Sequence, residues 1–264
     1  MFIDSHCHLD KIDLAPYDND FDAMLAATRA SQVGTLLSVS VSMQDFPALY
    51  KSIEPYEGIY ASVGVHPLHS DEGLVEVEAL VREAARDKVI AIGESGLDYF
   101  YSAESAELQK ASFVKHLQAS AQTGLPLIVH TRDARADTLA LIEEHGDPGV
   151  AGVLHCFTES WEMAAAAMEM NYFISFSGIV TFRNAEDLRD VVRKMPLERL
   201  LIETDSPYLA PVPHRGKKNE PRFVCEVARC IADIRGVSVE EIAAASSENF
   251  YRLFRRAARV PLSN

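Results

Sequence analysis

Residues 2–10 read FIDSHCHLD, a short apolar run that stops on two histidines, His6 and His8. Alternate side chains of a strand share one face, so the two imidazoles point the same way and can converge on one cation. Imidazole nitrogen suits Zn, Mn, Fe, Ni or Cu better than it suits Mg or Ca. Such a pair on a buried strand is more often structural than metal-binding, so its meaning turns on what ends the other strands.

Working outward, seven further β-branched or apolar runs follow: GTLLSVS (34–40), GIYASVGVH (58–66), KVIAIGE (88–94), LPLIVH (125–130), AGVLHCF (151–157), NYFISFSG (171–178) and RLLIETD (199–205). Between them lie Ala-, Glu- and Leu-rich segments of helical periodicity, such as 20–32, 106–123, 136–146 and 160–170. Apolar strands separated by helices form a parallel sheet covered on its faces, and eight such units in about 250 residues predict an α/β fold, a closed (β/α)8 TIM barrel. The rival is an open doubly wound sheet. No linker, repeat or compositional break divides the chain, so one domain over residues 1–264 is expected. The stretch 239–254 reads as a helix pair closing the barrel, with Phe250 and Phe254 on its inner face.

The chain has 264 residues, 48% of them hydrophobic, which is enough for a sizeable core. Its apolar runs fall far short of the roughly 20 residues that span a bilayer, and its N-terminus lacks a basic, apolar leader. A cytoplasmic protein with no membrane partner is expected. Four cysteines without CxxC spacing read as free thiols in a reducing compartment. The net charge of -14 argues against broad attraction to nucleic acid, leaving only local basic patches or bound cations to hold an anion. Nothing calls for an obligate protein partner.

Barrels of this kind collect their chemistry where the strands end. Strand one ends in His6 and His8, strand three in His66, strand four in Glu94, strand five in His130, strand six in His155 and strand eight in Asp205. Any one of these alone has a structural reading, as a bonded core histidine or a helix cap. Together, in register at one mouth, they point to a shared charge to neutralise. His6, His8, Glu94, His130, His155 and Asp205 exceed the needs of one tetrahedral ion, and the count fits two divalent cations bridged by Glu94. His6, His8 and Asp205 would hold the first, His130 and His155 the second. Asp205 also suits general acid/base work, taking and returning the proton of an activated water.

An ordered series of motifs runs through the chain: DSHCHLD (4–10), GVHP (64–67), GESGLDY (93–99), PLIVHTRDA (126–134), GVLHCFT (152–158), YFISFSGIVTFRNA (172–185) and ETDSPYLAPVPHRGKKNEP (203–221). On these motifs the chain resembles, end to end, the TatD family of metal-dependent hydrolases, in its YcfH-like branch and within the amidohydrolase-like barrels. The resemblance implies the same six metal ligands, a (β/α)8 barrel and phosphodiester hydrolysis, with members acting as Mg-dependent 3'-5' exonucleases on DNA or RNA. Many related binuclear barrels bridge their metals with a carboxylated lysine on strand four; this chain has Glu94 there.

A phosphodiester also needs positive groups. The loop after strand eight carries His214, Arg215, Lys217 and Lys218, and Arg132 follows strand five at the same mouth. His66, Arg132, His214, Arg215 and Lys217 are the expected substrate contacts. Tyr99, Phe100, Tyr101 and Phe157 could stack on bases, although aromatic residues in such loops more often pack beneath their neighbours. Cys7, between two inward histidines, should point outward, which disfavours thiol chemistry. The leading expectation is a metal-dependent deoxyribonuclease-type hydrolase acting on nucleic-acid ends with two divalent cations, Zn, Mn, Mg or similar. The alternatives are hydrolysis of a small amide, lactone or phosphate ester, and a metal-binding scaffold without activity.

Overall fold

In the computed structural model, which describes residues 1–259, eight strands stand side by side in sequence order, every neighbouring pair parallel. They are β1 (Phe2–Cys7), β2 (Val33–Ser38), β3 (Ile59–Val63), β4 (Val89–Asp98), β5 (Leu127–Arg132), β6 (Gly152–Leu154), β7 (Tyr172–Phe176) and β8 (Leu200–Ile202). The ring is drawn together just beyond β8. The Asp205 amide donates to His6 O at 2.9 Å and the His8 amide to Ser206 O at 2.8 Å. The result is a nearly closed (β/α)8 barrel, not an open sheet. Residues 260–264 of the expected domain lie outside the described residues.

Helices α1 (Phe21–Ala30), α2 (Phe46–Ile53), α3 (Val77–Ala84), α4 (Ala106–Thr123), α5 (Arg135–His145), α6 (Trp161–Glu169), α7 (Glu186–Lys194), α8 (Val224–Arg235) and α9 (Val239–Leu253) surround the strands. Their ends carry local signals. Asp20 and Ser160 cap α1 and α6 by accepting orphan backbone N–H groups, and Ser238 with Glu241 forms a capping box on α9. No helix among the described residues is long and apolar enough to cross a membrane.

Two apolar layers result. The larger lies between strands and helices and includes Cys7, whose side chain does point away from the barrel axis. The smaller fills the interior with Ile3, Leu37, Ile90, Ile128, Val153, Phe173 and Leu201, packed against Phe250, Leu253 and Phe254. Residues 239–253 form one helix rather than a pair, and its partner is the preceding α8. Its last turn plugs the end where the strands begin, leaving the opposite end to polar groups.

Strand alternation needs one amendment. Ile3 and Ser5 both face the interior, where Ser5 Oγ lies 3.2 Å from Ser175 Oγ. His6 and His8 also face inward, so the phase slips by one residue between Ser5 and His6. The β1–β2 register is irregular over this span, between Asp4 and Cys7.

Candidate metal centre

β4 carries the centre's middle carboxylate, and glycine lets its backbone come close enough to its neighbours. A Cβ at Gly96 (φ +141°) would sit 2.0 Å from His130 O, and one at Gly64 would sit 2.5 Å from Gly93 Cα. Glu94 is thereby brought among four imidazoles. Its Oε2 lies 3.3 Å from His6 Nε2, and its Oε1 lies 3.4 Å from His66 Nε2, 3.3 Å from His130 Nδ1 and 2.6 Å from His155 Nε2. Asp205 Oδ1 stands 3.3 Å from His8 Nε2 and 3.7 Å from His6 Nε2. The six residues expected as ligands therefore meet at one end of the barrel. His66 also lies closer to Glu94 than a peripheral contact would.

Which nitrogen of each ring carries a proton decides what that ring can do. His8 Nδ1 lies 3.0 Å from Val39 O, His155 Nδ1 lies 3.3 Å from Glu203 Oε1 and His130 Nε2 lies 3.1 Å from Asp98 Oδ2. In the neutral rings those nitrogens donate, and the opposite nitrogens, which face Asp205 or Glu94, are left with lone pairs. Acceptor then faces acceptor, an arrangement that a cation resolves. His66 is wired the other way. Its Nδ1 accepts the Leu68 amide at 3.1 Å, so the neutral ring carries its proton on Nε2 and donates toward Glu94. Burial pushes the His66 pKa down to about 4, which keeps the ring neutral. His66 thus fits a donor to an oxygen better than a ligand.

A test of fit comes from unmade hydrogen bonds. His6 Nδ1 and Nε2, Glu94 Oε2, His155 Nε2 and Glu203 Oε2 are buried and lack a hydrogen-bond partner among the described residues. An unpaired buried polar atom costs about 1–3 kcal/mol, and several at one point are accounted for by a bound cation. His6, His8 and Asp205 offer ligand atoms all within 4.8 Å of one another, as do His66, Glu94 and His130, and His6, His155 and Glu203. Burial alone would raise the Glu94 carboxyl, but the surrounding imidazoles, His155 foremost, hold it well below the usual range. Burial opposes ionisation of Asp205 too, and the His8 hydrogen bond with the nearby His6 and His8 imidazoles lowers it. Both carboxylates are ionised and available to a cation.

Three buried acids escaped the sequence reading. Asp98 and Glu203 orient His130 and His155, and Glu203 also accepts the Cys156 amide at 2.7 Å. Asp4 joins β1 to the end of β8 by accepting the Thr204 amide at 2.8 Å, its hydroxyl at 2.5 Å and the His6 amide at 3.3 Å. Asn219 completes this clasp, its Nδ2 donating to Thr204 O and Tyr208 O on either side of Asp205. For Asp98 and Glu203 the sequence offered only a residue type near a candidate-ligand histidine at a strand end, which does not separate an orienting acid from a ligand; for Asp4, whose partners are backbone amides and the Thr204 hydroxyl, it offered no signal.

The expected substrate contacts separate. Arg132 stands at the end of β5 with its guanidinium carbon 4.2 Å from the Phe100 ring centroid. Lys217 is exposed on the loop after β8. His214 stacks on Phe223 at 3.7 Å, with Nε2 3.8 Å from Glu226, and Arg215 lies 3.8 Å over Phe182. The last two are engaged in packing the loop.

The barrel, its strand-end histidines and its ordered motifs agree with known proteins. A family model described as TatD related DNase matches residues 3–255. The chain belongs to the TatD family. YcfH of Escherichia coli K12, described as a metal-dependent hydrolase, is 48% identical over 252 residues, covering 96% of this chain and 95% of the relative. YabD of Bacillus subtilis, described in the same terms, is 40% identical over 97% of this chain and 99% of its own. Among solved structures, the TatD homologue YjjV of Escherichia coli superposes with a TM-score of 0.87 at 31% identity, covering 98% of each chain. This TatD protein is a metal-dependent hydrolase with candidate metal-binding clusters at the barrel mouth.

Proposed function

We propose that this TatD protein, acting as one barrel domain over residues 1–264, is a phosphodiesterase of the deoxyribonuclease type that removes nucleotides from nucleic-acid ends in the 3'-5' sense. The observation that carries the reading is the convergence of imidazole lone pairs and ionised carboxylates on Glu94 without hydrogen bonds to satisfy them. The family description, TatD related DNase, supports a nucleic-acid substrate. His6, His8 and Asp205 would hold one divalent cation, and His130 and His155 a second, with Glu94 between them. Bound there, Zn, Mn or Mg would add positive charge beside the phosphate and lower the pKa of a water enough for attack near neutral pH.

The chain's own groups do the rest. Asp205, ionised at the barrel mouth, accepts the proton of the attacking water on its carboxylate and returns it to the departing oxygen. His66 donates from Nε2 to a phosphate oxygen, and Arg132 offers a guanidinium fork to the same anion. Lys217 adds positive charge farther out, and His214 and Arg215 shape the loop that carries it. The four free thiols fit a reducing, cytoplasmic compartment.

Digestion of an end-labelled single strand with Mn or Mg, beside a small lactone, an amide and a phosphate monoester, tests this reading. Glu94→Gln and Asp205→Asn should each lower turnover of the strand by about 10²–10⁴-fold while far-UV circular dichroism stays unchanged. Full activity in either variant contradicts the proposal. Turnover of only the small esters moves the protein to that class, and chelation that lowers Tm in a protein with no turnover makes it a scaffold.

A further inference from the structure

The four aromatics that follow β4 and β6 have different surroundings. Phe157 is buried against Phe176, and Tyr99 donates its hydroxyl to Asp137. Phe100 and Tyr101 remain in water, 56% and 62% exposed. Their rings meet edge to face at 4.8 Å, and the Arg132 guanidinium carbon lies 4.2 and 4.7 Å from the two centroids. The Arg132 side chain makes no hydrogen bond or ion pair among the described residues. One isolated exposed aromatic needs no explanation, whereas two rings and a guanidinium in mutual contact form a built surface.

That surface is tied to the metal centre through one buried carboxylate. Asp98 Oδ2 faces His130 Nε2 at 3.1 Å, while Oδ1 accepts the amides of Phe100 and Tyr101 at 3.0 and 2.8 Å. The group that orients a candidate ligand therefore also fixes the chain that bears the rings. Charge adds a second consideration. A molecule of net charge -14 repels a polyanion, so attraction to a nucleic-acid end must come from short-range contacts at the mouth. Stacking on an aromatic or guanidinium face is such a contact, and any nucleobase can make it.

We propose that Phe100, Tyr101 and Arg132 form a nucleobase-stacking subsite beside the metal centre, which grips the terminal base of the strand. The inference rests on the phosphodiesterase reading above and deepens it. A terminal base would lie on these groups while its phosphate reaches Glu94 and Asp205.

The test measures fluorescence anisotropy of a labelled oligothymidylate, and of an equal-length strand with abasic terminal residues. Both are titrated into Mn-loaded protein in an Asp205→Asn background, where turnover falls and Glu94 is kept. The base-bearing end should bind roughly tenfold tighter than the abasic end, and Phe100→Ala/Tyr101→Ala should abolish that preference with far-UV circular dichroism unchanged. Arg132→Lys, which keeps the charge and loses the plane, should reduce the preference. Equal affinity for the two strands, or a preference that survives loss of both rings, overturns the subsite. Cleavage of the same strands by the unsubstituted protein is recorded alongside. A base preference without any cleavage upholds the subsite and refutes the phosphodiesterase reading, whereas cleavage without base preference refutes the subsite alone.

Discussion

His130 and His155 each present one nitrogen to Glu94 and give the other to a buried acid, Asp98 or Glu203, while His8 gives its second nitrogen to Val39 O. Among the described residues His6 has no such acceptor, and its ring stacks on His155, centroids 3.9 Å apart. If these acids serve the ligands, Asp98→Asn or Glu203→Gln should weaken Mn binding by about 10–100-fold with little change in fold. Calorimetric titration of each variant reads this directly, and undiminished affinity would remove the orienting role. At this scale the six candidate ligands were legible because histidine and carboxylate at the end of an apolar strand are costly without a purpose. Glu203 and Asp98 were not, because one residue type serves as ligand or orienter, and only the partner atoms distinguish them. The tautomer of His66 was likewise out of reach, since it depends on the Leu68 amide turning back onto Nδ1.

Elements far from the mouth hold these residues in place. His116 on α4 is fully buried, its Nε2 accepting the Val65 amide at 3.0 Å and its Nδ1 lying 2.7 Å from Ser112 O, so the segment leading to His66 depends on a neutral imidazole. Burial pushes its pKa down to about 4 from the usual 6.5. The unfolded chain therefore binds more protons between those values, and stability falls as pH drops through the window, by a share on the order of 3 kcal/mol. Urea denaturation across pH 6.5 to 4 should show that decline, and His116→Gln should flatten it; an equally steep decline in the variant would contradict the assignment. At the other end of the barrel, Phe250 on α9 is fully buried in the interior layer. Phe250→Ala should cost about 3–5 kcal/mol in the same denaturation experiment, and a loss below about 1 kcal/mol would mean the plug is dispensable. The four-residue spacing of Phe250 and Phe254 identified the inner face of this helix. That this stretch is one helix could have been read, since no Gly or Pro lies within 239–254 to break it and Gly236 ends α8 before it; its packing on α8 was hidden, because periodicity names no partner.

Across the whole molecule, the strand–helix rhythm was strong enough to read the barrel, since each strand is apolar on both faces and each intervening segment has a helical stripe. The phase slip in β1 and the clasp of Asp4, Thr204 and Asn219 were not legible, because both arise where the first and last strands meet across about 200 residues of sequence. That junction also brings His6 and His8 against Asp205, so closing the ring and assembling the centre are one event in this fold. The central claim is that the centre works with two cations and that Glu94 lies between them. It is tested most directly by titrating metal-free protein with Mn while recording hydrolysis of a single-stranded oligonucleotide. The rate should rise to a plateau at about two equivalents per chain and stay near zero at every ratio in Glu94→Gln. A plateau at about one equivalent, or undiminished hydrolysis in the presence of a strong chelator, would contradict it.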